Sequence, residues 1–245
     1  MPRIHKVVLT GGPCGGKSTA LPELAKPFKA QGLNVVTIPE LATFMYNNGI
    51  KLKLEPPAYH VDLETQAFRI QRSLEMGFEK LASHSDKDTL VLLDRGVVDL
   101  AAYCADEAMW KQVCMACGWW PPETFKLYHL VLHFVTAADG AEAFFTNENN
   151  PARQCDPDRA RWLDARTYNV WKAHPKHVRI DNSTDFNGKL DRAKVAITNL
   201  LYPVNTTPRP DTTCPKCKKQ GNLKASEHEY ACWDCGISYP APTSN

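Results

Sequence analysis

The feature that most constrains this chain is Gly11-Gly12-Pro13-Cys14-Gly15-Gly16-Lys17-Ser18, a G-x-x-x-x-G-K-S phosphate-binding loop close to its start. A loop that wraps a triphosphate must press its backbone N–H groups against the anion, and side chains would block that approach. Glycines at 11, 12, 15 and 16 remove them. Lys17 is then expected as a solvent-facing cation that reaches the β- and γ-phosphates, with the Ser18 hydroxyl as a ligand to Mg²⁺. Residues 11–19, Pro13, Cys14 and Thr19 included, form the expected nucleotide-binding segment. The flanks agree: Val7-Val8-Leu9 reads as a buried strand, and Thr19-Ala20-Leu21 opens a helix whose N-terminus favours an anion.

Periodicity alternates strands and helices along the rest of the chain. Strands are expected at 5–10, 34–39, 89–94, 130–136 and 177–181. Helices are expected at 17–31, 41–48, 59–84, near 97–117, and at 157–173 and 186–201. That order predicts an α/β fold of phosphate-loop, nucleoside-kinase-like type, a parallel sheet with helices on both faces. Leu90-Val91-Leu92-Leu93 and Leu130-Val131-Leu132 are unbroken apolar runs, as suits strands buried on both sides. The main domain is expected over 1–201. A linker with three prolines follows at 202–213, and a small module at 214–237.

In such sheets ligands bind at the carboxyl ends of the strands, so chemistry is read from the residues that follow them. Glu40, after Ile38-Pro39, is a candidate base toward an attacking hydroxyl or a holder of metal-bound water. Asp94 closes an apolar strand, the second signature of phosphate-loop enzymes, and is expected to orient Mg²⁺. Arg95 can neutralise charge on the transferring phosphoryl group. Arg153 precedes a helix that Asp156-Pro157 would cap, and is expected on a lid over the phosphates; of Arg159 and Arg161, only one is expected to face the site. Asn182 sits in a polar loop that can contact the nucleotide base, although Ser183 or Asp185 can equally cap the last helix. Gln66 is a candidate for reading an acceptor's edge, or one residue of a polar helix face.

Four of these segments resemble, in order and spacing, the AAA-type phosphate-loop domain of the NadR and TRPL-translocation-defect (Ttd) proteins. They are residues 7–18, Ile38-Pro39-Glu40, Leu93-Asp94-Arg95-Gly96, and 180–186. Residues 136–141, Asn149-Asn150-x-x-Arg153 and Trp171-x-x-His174-Pro175 look closest to the Ttd branch. The resemblance covers 6–201. It implies nucleoside-kinase-like architecture, nucleotide binding through 11–19, and a basic or metal-orienting role for Glu40 and Asp94. NadR members phosphorylate nicotinamide riboside; the Ttd branch is associated with GTP binding and hydrolysis and carries a triphosphate-tunnel module. Here Cys155 stands where the family usually has an acidic residue, and a much smaller tail stands in place of the tunnel module.

That tail holds Cys214-Pro-Lys-Cys217 and Cys232-Trp-Asp-Cys235, the spacing of a zinc ribbon. Four thiolates would close a tetrahedral, structural site for Zn²⁺. Lys216, Lys218, Lys219 and Lys224 are matched there by Asp211, Glu227, Glu229 and Asp234, so nucleic acid is not the expected partner. Protein contact or simple stabilisation suits the ribbon better. The remaining five cysteines lack a framework spacing, and Cys114 and Cys117, a lone C-x-x-C, read as packing residues, with a redox pair as the alternative. The net charge of +2 makes no case for a nucleic-acid or membrane surface, no apolar run reaches spanning length, and the start leads straight into a strand with no room for a signal peptide; with the phosphate loop and the scattered thiols, a cytoplasmic chain is expected.

Two functions remain in play. One is a Mg²⁺-dependent phosphotransferase carrying a γ-phosphoryl group from ATP or GTP to a small hydroxyl acceptor. The other is a regulatory GTPase or ATPase whose ribbon docks a protein partner. The absence of a guanine-reading N-K-x-D motif leaves ATP and GTP undivided.

Overall fold

The buried apolar runs form the middle of a five-stranded, all-parallel sheet. The computed structural model describes residues 2–52, 55–146, 155–203 and the strand residues 223–225, 229–232 and 238–240. Strands β1 (Ile4–Thr10), β2 (Asn34–Ile38), β3 (Thr89–Asp94), β4 (Leu130–Phe134) and β5 (His177–Ile180) lie in the order β2-β3-β1-β4-β5. Val7, Val8 and Leu9 of β1 and Leu90 to Leu93 of β3 are wholly buried. The connections leave β1 on one side to reach β2 and return to its other side at β4. The carboxyl end of β1 therefore lies at the switch point where ligands bind.

The helices are α1 (Lys17–Ala30), α2 (Leu41–Asn47), α3 (Pro57–Ala82), α4 (Glu107–Ala116), α5 (Pro157–Trp171) and α6 (Phe186–Leu201). The single helical segment expected near 97–117 is two elements. A 3₁₀ stretch runs over Val97–Ala102, and α4 starts afresh after Asp106, whose Oδ1 accepts the Met109 N–H at 2.8 Å. A local cap thus outweighs the run of periodicity across the joint. Asp156 caps α5 in the same way, accepting from the Arg159 N–H, with Pro157 at the first helical position. A buried ion network ties β1 to α3: Lys6 Nζ meets Glu75 Oε2 at 2.9 Å, and Glu75 also accepts from Gln71 and from the Tyr128 hydroxyl.

The chain divides into two compact units, Met1–Ile197 and Thr198–Asn245. The second contains a three-stranded antiparallel sheet of β6 (Leu223–Ala225), β7 (Glu229–Cys232) and β8 (Ser238–Pro240). Cys232 is the last residue of β7; Cys214, Cys217 and Cys235 lie outside the described residues, as do the linker from 204 onward and Arg153. Among the described residues, no helix is long and apolar enough to cross a membrane. Cys114 and Cys117 carry free thiols, and burial pushes the Cys114 thiol up to about 12, in keeping with packing residues.

Candidate active site

Residues 11–16 turn between β1 and α1, and Lys17, Ser18 and Thr19 form the first turn of that helix. Gly11 takes φ +121°, and a Cβ there would stand 2.1 Å from the Phe134 carbonyl oxygen. Only glycine lets the loop pass that close to β4. Lys17 is not solvent-facing. It is 2% exposed, and its Nζ donates to the Gly11 and Gly12 carbonyls at 3.1 and 2.7 Å. A buried cation is costly unless it is hydrogen-bonded, and the loop's own carbonyls supply those bonds to Lys17.

The loop is anchored from α5. The Gly12 N–H donates to Asp164 Oδ1 at 2.7 Å, and the Thr136 N–H donates to the same oxygen at 3.1 Å. His133 Nε2 lies 3.1 Å from Asp164 Oδ2. Burial alone would raise the Asp164 carboxyl, but the His133 contact and the two amides outweigh it and hold it below the usual aspartate value.

At the ends of β1 and β3 the carboxylates converge. Ser18 Oγ donates to Asp94 Oδ2 at 2.6 Å, while the buried Asp94 Oδ1 has no hydrogen-bond partner among the described residues. Burial, and after it the Glu40 charge, push the Asp94 carboxyl up against the opposing pull of Lys17, the Ser18 hydroxyl and Arg95. An unpaired carboxylate oxygen beside a serine hydroxyl at the foot of a phosphate loop fits a hard divalent cation. Glu40 is the residue before α2. Its Oε1 accepts from Arg95 Nε at 2.8 Å and its Oε2 from Thr43 Oγ1 at 2.5 Å. Arg95, at φ +73°, also donates through Nη1 to Asp99 Oδ1 at 3.0 Å.

Asn182 faces inward. Its amide nitrogen donates to the Thr136 and Asp139 carbonyls and its Oδ1 accepts from Lys189 Nζ, so its side chain ties β4 to β5. Asp185 caps α6, accepting from the Gly188 N–H at 2.8 Å. Gln66 is exposed and lines no cavity beside the loop. Arg159 does line that cavity, whereas Arg161 donates to the Ala138 carbonyl.

The cavity has a volume of about 310 Å³. It runs beside Pro13, Glu40, Arg95 and Asp99, between α2, α3 and α5, with Leu41, Met45, Leu63 and Leu100 as apolar walls. The sequence does not single out three carboxylates of the site: Asp99 and Glu64, which line the cavity, and Asp164, which anchors the loop. Each sits on the apolar stripe of its element, and an acid on a buried stripe is the signal that would have found them.

A phosphate loop at the switch point, a serine–aspartate pair behind it and an adjoining cavity define a phosphate-loop nucleoside-triphosphatase type of domain, built to bind a nucleotide and act on its terminal phosphate. A family model described as an AAA domain, AAA_28, matches residues 6–189, well over half of the chain, and the chain belongs to that family. No curated protein matches it.

The Asp164 clamp makes a testable demand. Asp164→Ala strands the Gly12 and Thr136 N–H groups and is expected to cost at least about 2 kcal/mol at neutral pH. Because the folded value of Asp164 lies below 3.8, its contribution is full above that pH and fades as pH falls through the folded value. Denaturant titrations should show the gap between parent and variant shrinking in acid; a gap that stays constant with pH would contradict a charge-dependent clamp.

Proposed function

We propose that this chain is a Mg²⁺-dependent phosphotransferase of nucleoside-kinase type, carrying the γ-phosphoryl group of ATP or GTP to a hydroxyl of a small acceptor. The observation that carries the reading is the apolar-walled cavity that meets the phosphate loop at Pro13 and is lined by Glu40 and Arg95. Hydrolysis needs room for a water; a cavity of about 310 Å³ has room for an organic acceptor. The motif likeness to NadR domains, whose members phosphorylate a riboside, supports this reading, whereas the likeness to the Ttd branch supports the alternative, a regulatory GTPase or ATPase whose ribbon docks a partner.

The loop amides and Lys17 bind the phosphates, Lys17 exchanging the Gly11 and Gly12 carbonyls for phosphate oxygens. Ser18 Oγ and Asp94 Oδ1 are the groups that would hold Mg²⁺, which when bound neutralises charge on the β- and γ-oxygens. Glu40 takes the proton of the acceptor hydroxyl as its oxygen bonds to the γ-phosphorus and the bridging oxygen leaves with the nucleoside diphosphate. Arg95 orients Glu40 and places positive charge beside the transferring group. Arg153 supplies a second cation from the segment before α5. The free thiols suit a reducing, cytoplasmic setting.

The test is incubation with γ-labelled triphosphate and a panel of nucleosides. Label in a nucleoside is the expected result; label released only as phosphate would leave a regulatory ATPase or GTPase. Glu40→Gln should lower turnover at saturating Mg²⁺ while nucleotide still binds, and Asp94→Asn should shift the Mg²⁺ dependence instead. Identical Mg²⁺ profiles in the two variants would remove the division of roles.

We further propose that Cys214, Cys217, Cys232 and Cys235 hold one structural Zn²⁺, on the strength of their C-x-x-C spacing. Elemental analysis of the purified chain should find one zinc per chain. A chain ending after Leu201 should hold none and still bind triphosphate. Zinc retained by the shortened chain, or its loss of nucleotide binding while folded, would refute the separation into two modules.

A further inference from the structure

One carboxyl in the cavity has no role in the chemistry above. Glu64, on α3, is 6% exposed and lines the cavity, yet makes no hydrogen bond among the described residues. Its nearest ionic neighbour, His60 Nε2, lies 3.8 Å away, beyond hydrogen-bonding reach, and faces the Tyr103 carbonyl at 3.1 Å instead. A carboxyl buried this deeply without a hydrogen bond costs stability, and it borders a cavity in which a ligand could supply that bond.

The charges around it decide what form that partner takes. From α2 comes Glu40, and from the segment after β3 come Arg95, Asp99 and Tyr103. Arg95 is committed to Glu40 and Asp99. From α5 come Arg159, whose guanidinium lies 4.0 Å over the Trp162 ring, and Arg166, which donates to the carbonyl of Cys104, the thiol neighbouring Glu64. None of these cations bonds to Glu64, so nothing in the cavity pays for an ionised carboxylate there. Desolvation by burial accordingly pushes the Glu64 carboxyl up to about 8.

We propose that Glu64 is the specificity residue of the acceptor site, and that as a neutral acid it pairs with an uncharged nitrogen heterocycle bearing a donor and an acceptor side by side. A protonated carboxyl offers one O–H donor and one carbonyl acceptor, which matches the amino and ring-nitrogen edge of a nucleoside base. Leu41, Met45, Leu63 and Leu100 give the flat ring its apolar walls. The inference rests on the acceptor cavity of the proposed function and names the class of molecule that fills it.

The test is calorimetric titration of the full chain, with Mg²⁺ and a non-hydrolysable triphosphate present, using adenosine and cytidine as probes. Glu64→Gln keeps a donor and an acceptor in the same place and should bind within about threefold of the parent; Glu64→Leu should lose about 10- to 100-fold. Between about pH 6 and about pH 9.5 the parent should weaken above about 8, approaching tenfold per unit, while Glu64→Gln stays flat. Thermal melts check that both variants are folded. Equal losses in the two variants, a flat parental profile, no binding of either nucleoside, or tighter binding of a cationic pyridinium riboside that strengthens with pH would each overturn the inference. Label transfer is scored separately. Transfer without this pattern sinks the Glu64 assignment alone, and the pattern without transfer sinks only the phosphotransferase reading.

Discussion

The site depends on one buried carboxylate, Asp99. It accepts from the Thr10 hydroxyl at 2.6 Å, Arg95 Nη1 at 3.0 Å, the Gly96 N–H at 3.0 Å and the Trp171 indole N–H at 3.2 Å. Those donors come from the end of β1, the end of β3 and the end of α5. A 1%-exposed carboxylate is tolerable only with its lone pairs filled in this way. Arg95, once fixed by Asp99, fixes Glu40 in turn, so the proposed base is positioned by a chain of two ion pairs. The left-handed backbone at Arg95 is held by the same network: its N–H donates to the Leu9 carbonyl while its side chain turns back to Asp99.

A second carboxylate does for the loop what Asp99 does for the strand ends. Asp164 gathers the Gly12 and Thr136 amides and His133 onto α5, the helix that follows the expected lid. Any shift of α5 is therefore felt at the phosphate loop. Lys189, pushed down to about 8 by burial, holds the Val135 carbonyl and Asn182 and so sets the outer wall between β4 and β5.

The sheet and the loop could be read from the sequence because both rest on local rules. Continuous apolar runs mark strands buried on both faces, and a glycine-rich turn before Lys17-Ser18 has one physical use. Every expected strand formed within two residues of its bounds. Asp99 and Asp164 escaped because Thr10, Trp171, Gly12 and Thr136, which fill their lone pairs, lie far along the chain, and Glu64 because the cavity that it lines exists only once α2, α3 and α5 are packed. Lys17 escaped for a different reason. Its inward pose is set by loop carbonyls that only the folded turn brings together. Asn182, expected from the sequence at the nucleotide base, bonds to the Thr136 and Asp139 carbonyls and ties the ends of β4 and β5 together, a tie no local signal could show.

Asp94 Oδ1, which has no hydrogen-bond partner among the described residues, the Lys17 ammonium at the Gly12 carbonyl and the cavity beside Pro13 meet at the carboxyl end of the sheet, where the proposed triphosphate and its cation would bind. The direct measurement is calorimetric titration of the parent chain and of Lys17→Ala with ATP and with GTP, each with and without Mg²⁺. The account predicts one site per chain in the parent, tighter with Mg²⁺, and loss of most of that affinity in a Lys17→Ala variant that stays folded. Binding unchanged by Lys17→Ala, or no binding of either triphosphate to the parent, would contradict it.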